Sequence, residues 1–293
     1  MTTNVENHLK DSRTDELSFQ KIKKFTPDII ARFQKMVYSY YREYGRTFPW
    51  RETTNPYHIL VSEAMLQQTQ TERVVQKYHQ FITTFPDFCS LARAPLQKIL
   101  EVWHGLGYNR RAMNLKRTAE IIVTQYHGVL PSDFEVLQTF PGIGKATAGA
   151  ITAFAFNEPA VFIETNIRTV YIHFFFQGKS NIKDKEILSV VEKTLDYTNP
   201  REWYYALMDY GVMLKKRYKN VNKKSFNYHK QTPFQGSNRQ IRGKILTVLI
   251  EKPYTECELI QTLQVDPERV EKNLTQLEKE GFIKREGNTL SIA

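Results

Sequence analysis

Residues Gln138–Ala150 read QTFPGIGKATAGA, a Pro-Gly-Ile-Gly turn followed by a lysine and a run of small helix formers. Two glycines let the chain reverse within a few residues, through backbone angles that other side chains resist. A turn that runs directly into a helix aims free backbone N–H groups and the positive helix end at one spot. The sequence therefore predicts a hairpin between two helices, with Gly142, Gly144 and Lys145 offered to an anion such as a phosphate. About twenty residues on, Ile163-Glu164-Thr165-Asn166 places a carboxylate and an amide just after an apolar run.

The rest of the chain up to about Gly211 reads as an all-α array. Thr26 precedes apolar and aromatic residues at helical spacing, and Gly45 stops them. Further helical patterns cover Tyr57–Gln67, Thr71–Phe85, Pro95–Trp103, Arg110–Tyr126, Asp133–Thr139, Lys145–Phe156 and Lys183–Leu195. Strand-type alternation is almost absent, and Gly and Pro punctuate the helices. Residues 1–25 are expected to be a flexible extension. After a basic stretch, Ile241–Lys252, Thr255–Leu263 and Pro267–Gly281 read as three short helices, with Asp266 as the N-cap of the third. FIKREGNTLSIA then reads as two strands around Glu286-Gly287-Asn288. Three helices and a hairpin at this length predict a winged helix over 241–293, a module that binds DNA or a protein partner. Its last helix is acidic, which weakens the DNA reading.

The chain has 293 residues, enough for about two domains. It lacks a long uninterrupted apolar run, and its polar start reads as no secretory signal, so a soluble, cytoplasmic protein is expected. Its two cysteines, Cys89 and Cys257, are too few and too far apart for a disulfide framework or a structural zinc, and read as small buried hydrophobes. The formal charge is +10. Between Tyr210 and Ile250 there is no Asp or Glu, while Lys215, Lys216, Arg217, Lys219, Lys223, Lys224, Lys230, Arg239, Arg242 and Lys244 all fall there. Single-sign clustering interleaved with Tyr218, Phe226, Tyr228 and His229 is the footprint of nucleic-acid contact; a solvated linker is the competing reading.

Four segments resemble one known family in the right order: PWRETTNPYHILVSEAMLQQTQ (Pro49–Gln70), WHGLGYNRRAMNL (Trp103–Leu115), FPGIGKATAGAI (Phe140–Ile151) and ALMDYG (Ala206–Gly211). They resemble the endonuclease III/MutY family of helix–hairpin–helix DNA glycosylases, with the adenine-specific MutY branch the most similar. The resemblance implies an all-α glycosylase domain over 26–213, which the basic stretch over 214–240 and the winged helix then follow. It also implies a duplex DNA partner carrying a mismatched or damaged base, bound by a monomer.

Glu63 sits in an apolar helix and matches the family glutamate that protonates the departing base. A carboxylate at an apolar boundary can hold a proton near neutral pH. Glu164 matches the family aspartate that stabilises the sugar cation, although here it carries one more methylene and Thr165 replaces a glycine. The alternative for Glu164 is a helix N-terminal carboxylate. Asn166 matches the asparagine that supports that carboxylate. Gln68 and Tyr108 match residues that wedge into the duplex when a nucleotide is flipped, as base chemistry requires, and their neighbours Gln67 and Thr69 are expected at the DNA; for Tyr108 ordinary core packing is equally open. Lys145, Lys215, Lys216 and Arg217 are expected at phosphates. Carbonyls of Gln138, Phe140 and Ile143 are implied ligands of a sodium or potassium ion.

Three departures from the family shape the expectation. Bifunctional lyases carry a Schiff-base lysine where Ala146 stands, so a monofunctional enzyme is expected; the MutY branch has tyrosine there. The position of the first cysteine of the family's four-cysteine iron–sulfur loop is Lys215, so no cluster is expected. The Nudix-like domain that reads oxidised guanine is replaced by the winged helix. Adenine is the leading target; thymine or uracil opposite guanine, a deaminated or alkylated purine, or damage binding without catalysis are the alternatives.

Overall fold

The computed structural model describes Phe19 and residues 24–218, 221–228 and 232–293. Most of the expected N-terminal extension lies outside the described residues, as do Lys219, His229 and Lys230. The described chain is mostly helical and divides into two compact units. The first comprises residues 1–54, 133–135 and 144–229; the second comprises 55–132, 136–143 and 230–293.

In the first unit, α1 (Pro27–Tyr44) starts where a side-chain cap and a proline dictate. Thr26 accepts from the Ile29 N–H, Pro27 sits at the first helical position, and the Gly45 N–H closes the last turn onto Tyr41. Its buried Phe33 meets the edges of Phe174 and Trp203, at ring-centroid distances of 5.7 and 5.8 Å. Those rings belong to α9 (Thr165–Phe175) and α11 (Pro200–Arg217), which pack together with α8 (Lys145–Phe156) and α10 (Asp184–Thr194). Neither α9 nor α11 is among the helices expected from periodicity. The sequence TNIRTVYIHFF is rich in β-branched and aromatic residues, which are indifferent helix formers, and burial of Tyr171, Ile172 and Phe174 decides the matter.

The second unit holds α2 (Pro56–Leu66), α3 (Thr71–Thr84), α4 (Phe88–Arg93), α5 (Leu96–Trp103) and α6 (Arg110–Gln125). The unforeseen α4 is a six-residue helix closed by a capping box between Asp87 and Ser90. The residues of α7 (Phe134–Thr139) are divided between the two units. The same unit includes the C-terminal α12 (Asn238–Glu251), α13 (Glu256–Leu263) and α14 (Pro267–Glu280). Strands β1 (Tyr254–Thr255), β2 (Ile283–Glu286) and β3 (Thr289–Ile292) form an antiparallel sheet in the order β1-β3-β2. The two-residue β1 carries no periodicity and was not foreseen. Asp266 caps α14 as expected, accepting from the Arg269 N–H. Glu280, at the end of that acidic helix, takes Arg110 at 2.6 Å and Arg242 at 2.7 Å.

The cysteines differ from expectation. Cys89 is half-buried and Cys257 is exposed, because Cys257 falls in the first turn of α13 while Leu259 and Leu263 take the inward face.

Candidate active site

Glu63 belongs to the second unit. It lies on α2, whose Tyr57, Ile59, Leu60, Val61, Ser62 and Met65 are all buried; Glu63 itself is half-buried. The helix is fixed at its start by Asn55, whose side chain accepts from the Tyr57 N–H. Its end is held by a residue that sequence reasoning passed over. The Arg111 guanidinium donates to the carbonyls of Ala64 (2.8 Å) and Met65 (2.7 Å), in the last turn of α2. It donates also to Thr69 Oγ1 (3.0 Å), Leu106 O (3.2 Å) and Gly107 O (3.0 Å). Burial lowers the Arg111 pKa to about 10, so the group remains a cation at neutral pH.

Arg111 thus ties together the two loops that carry the expected duplex-entering residues. Gln68 and Tyr108 both have left-handed backbone, with φ of 55° and 49°. Such conformations cost energy in residues other than glycine and persist where surroundings over-determine them. Replacing Arg111 by Met would leave several buried carbonyls without a donor. Arg111→Met is expected to lose about 2–3 kcal/mol of stability, measured as a lowered urea midpoint. Tyr108 is half-buried rather than part of the core: its ring lies under Arg111 and Arg239, each 5.6 Å from the centroid. Its hydroxyl accepts from Arg239 Nη1 at 2.6 Å.

The predicted turn is present. Gly142 has φ 77°, and the Ile143 N–H donates to Phe140 O at 3.1 Å. A Cβ at Gly142 would lie 2.6 Å from Asn114 Nδ2, so Gly142→Ala is expected to be destabilising, by about 1–3 kcal/mol in chemical unfolding. Gly144 is the N-cap of α8, with an ordinary extended backbone and open space around it. Gly142, Gly144 and Lys145 are exposed, while Ile143 is buried. Neutral carbonyl oxygens suit a hard cation.

Glu164 belongs to the first unit and is the N-cap of α9. Its Oε1 accepts from the Asn166 and Ile167 N–H groups at 2.6 and 2.8 Å, and Oε2 accepts from Asn166 Nδ2 at 3.2 Å. The N-terminal carboxylate reading therefore describes its local role. Asn166 Oδ1 in turn accepts from Lys215 Nζ at 2.7 Å. Lys216 and Arg217, the next two residues of the basic run, are exposed.

The stretch after α11 is partly docked rather than a free linker. Asn222 is buried and donates to Thr165 O (3.2 Å) and Thr169 Oγ1 (2.9 Å) on α9. Ser225 bridges to Ile182, and the Phe226 N–H donates to Ile182 O at 2.9 Å. Phe226, Lys223 and Lys224 are left exposed. This segment holds no cysteine, so it cannot supply the thiolates of an iron–sulfur cluster. Among the described residues, no three His, Cys, Asp or Glu side chains gather as a metal site, and no helix is long and apolar enough to cross a membrane.

Residues 61–195 match the HhH-GPD family, described as HhH-GPD superfamily base excision DNA repair protein. The chain is 37% identical over 187 residues to the adenine DNA glycosylase of Buchnera aphidicola subsp. Baizongia pistaciae, covering 62% of this chain and 52% of that protein. It therefore spans about half the length of that relative. It is 30% identical over 268 residues to the adenine DNA glycosylase of Mycolicibacterium smegmatis, covering 84% of this chain and 91% of that one. Among solved structures, a thermostable thymine-DNA glycosylase aligns with a TM-score of 0.59 at 26% identity, over 67% of this chain and 91% of its own. An endonuclease III trapped on DNA aligns with a TM-score of 0.55 at 18% identity, over 65% of this chain and 88% of its own. With the hairpin, the two carboxylates and these relatives in agreement, the chain belongs to the HhH-GPD superfamily of base excision DNA repair proteins, in its endonuclease III/MutY family.

Proposed function

We propose that the chain is a monofunctional DNA glycosylase that hydrolyses the N-glycosidic bond of a flipped-out adenine in a mismatch. The observation that carries this reading is Glu164, a carboxylate held by two backbone N–H groups and an amide at the position of the family's cation-stabilising aspartate. Glu63 protonates the base as the bond to the sugar breaks. Glu164 stabilises the positive charge that develops on the sugar, and water adds to the sugar carbon, leaving an abasic site. Two carboxylates with separate acid and charge-stabilising roles are the general logic of glycoside cleavage. Ala146 offers no amine for a Schiff base, so strand cleavage should require added alkali.

On the DNA side, Gln68 and Tyr108 would enter the duplex beside Gln67 and Thr69, and Gly142, Gly144 and Lys145 would hold one phosphate. Gln138, Phe140 and Ile143 would hold a monovalent cation through their carbonyls, adding positive charge beside that phosphate. Lys216 and Arg217 would meet further phosphates, with the C-terminal 241–293 acting as a winged helix. Charge-neutralising substitution of Lys216, Arg217, Lys223 and Lys224 is expected to flatten the slope of log K against log salt by about 0.9 per lost phosphate contact. An unchanged slope would return this stretch to the role of a spacer.

A second reading is thymine opposite guanine, favoured by the thymine-DNA glycosylase likeness and by Ala146 replacing the branch's tyrosine. Both readings are tested by base release from duplexes carrying adenine opposite guanine or 8-oxoguanine, thymine or uracil opposite guanine, hypoxanthine, and alkylated purines. Alkali-dependent cleavage of the adenine duplexes supports the first reading and of the thymine duplex the second. Tight binding with silence across the panel would replace both with damage binding alone.

A further inference from the structure

The start of α9 is gripped by α11 and the segment that follows it. Gly211 lets the two backbones touch, since a Cβ there would collide with the carbonyl of Asn166. Lys215 lies one helical turn further along the same face of α11, and its ammonium reaches Asn166 Oδ1 at 2.7 Å. Asn222 then holds the preceding residue, Thr165, through its carbonyl.

The chemistry of the three polar groups is directional. An ammonium only donates hydrogen bonds, an ionised carboxylate only accepts them, and a primary amide does both, at opposite ends. An amide between a donor and an acceptor has one satisfactory orientation: oxygen toward lysine, nitrogen toward the carboxylate. Without the lysine, the amide of Asn166 could rotate and present its oxygen to Glu164, setting two acceptors against each other. We propose that Lys215 is a positioning residue for Glu164, locking the Asn166 amide so that its Nδ2 faces the carboxylate. Lys215 is half-buried at this position. Its burial lowers its pKa, the Glu164 charge opposes this, and Arg168, itself paired with Asp184 at 2.9 Å, adds to it. That balance places the ammonium within electrostatic reach of the carboxylate. The residue read from the sequence as one of a run of phosphate-binding cations thus acts inward.

The rate arm of the test rests on the catalytic reading of Glu164; the exchange arm does not. In the full chain, amide hydrogen exchange of Asn166 and Ile167 reports directly on the Glu164 carboxylate that accepts from both. Lys215→Met should raise exchange at these two amides roughly tenfold, the worth of one hydrogen bond, and Lys215→Arg should restore protection. Should Lys215→Met not fold, Lys215→Gln carries the same comparison. Single-turnover base release should fall by roughly tenfold in Lys215→Met, with duplex Kd within about twofold. In an Asn166→Ala background the same substitution should have no further effect, because its route to Glu164 is gone. Unchanged exchange overturns the proposal. So does a loss confined to Kd, or one that adds fully to Asn166→Ala, either of which makes Lys215 a phosphate contact. If the native chain releases no base yet Lys215→Met still loses protection, the positioning stands and the glycosylase reading falls.

Discussion

Glu63→Gln is expected to slow base release by about 10²–10⁴-fold, the usual worth of a general acid, while changing duplex Kd by no more than about twofold. The substitution keeps the shape of the side chain and removes only the transferable proton. Purine and pyrimidine anions are poor leaving groups, so the bond to the sugar breaks readily only if the base is protonated as it departs. Glu63, the proposed donor, stands on a helix that is well held: α2 is buried along most of its length, Asn55 caps its start and Arg111 binds carbonyls of its last turn. The measurement is single-turnover release from the best duplex of the panel, with binding followed separately. A variant as fast as the native chain would move the proton donor to another residue. One that loses binding and rate together would make Glu63 structural.

Much of the fold was legible because local signals agreed with burial. Asp266, Pro56 and Gly45 mark helix ends in the sequence and do so in the structure. The helices that escaped reading show why such signals fail. In α9 an aromatic face is buried whole, leaving little amphipathic contrast, and in α11 a mid-helix glycine looks like a stop. Gly211 in fact serves a contact, since only a residue without a Cβ lets α11 approach Asn166. The site divides in the same way. Glu63, Glu164 and Asn166 stand in recognisable motifs. Arg111 looks like one more charge in Arg110-Arg111, and its importance arises only when four carbonyls from separate segments converge on it. Lys215 was read as part of a cationic run because sequence gives the charge of a side chain and not its direction.

Asp209→Ala is expected to destabilise the first unit by about 3–5 kcal/mol, the cost of stripping the partner from buried ionic groups. Asp209 is 1% exposed and accepts five hydrogen bonds. Three come from Arg46 (its backbone N–H at 2.7 Å, Nε at 2.8 Å, Nη2 at 2.6 Å) and two from Arg51, each at 2.9 Å. Arg51 is itself 7% exposed and stacks over Tyr205 at 4.6 Å, so its charge has no easy route to water. The Pro-Trp-Arg and Ala-Leu-Met-Asp motifs, far apart in sequence, meet in this pair. Burial alone would raise the Asp209 pKa, but the hydrogen bonds and charge of Arg51, joined by Arg46, more than reverse it and hold the carboxyl below its ordinary value. A depressed folded-state pKa means that the stabilisation is present above the unfolded value of about 3.9 and is lost as pH falls through the folded one. The gap between native and Asp209→Ala chains should therefore be flat near neutrality and narrow below about pH 4. Urea unfolding followed through the buried Trp50 and Trp203 reads it directly. A gap under about 1 kcal/mol at neutral pH, the range of surface pairs, would mean that Arg46 and Arg51 find water without Asp209, and that apolar packing alone joins the two motifs.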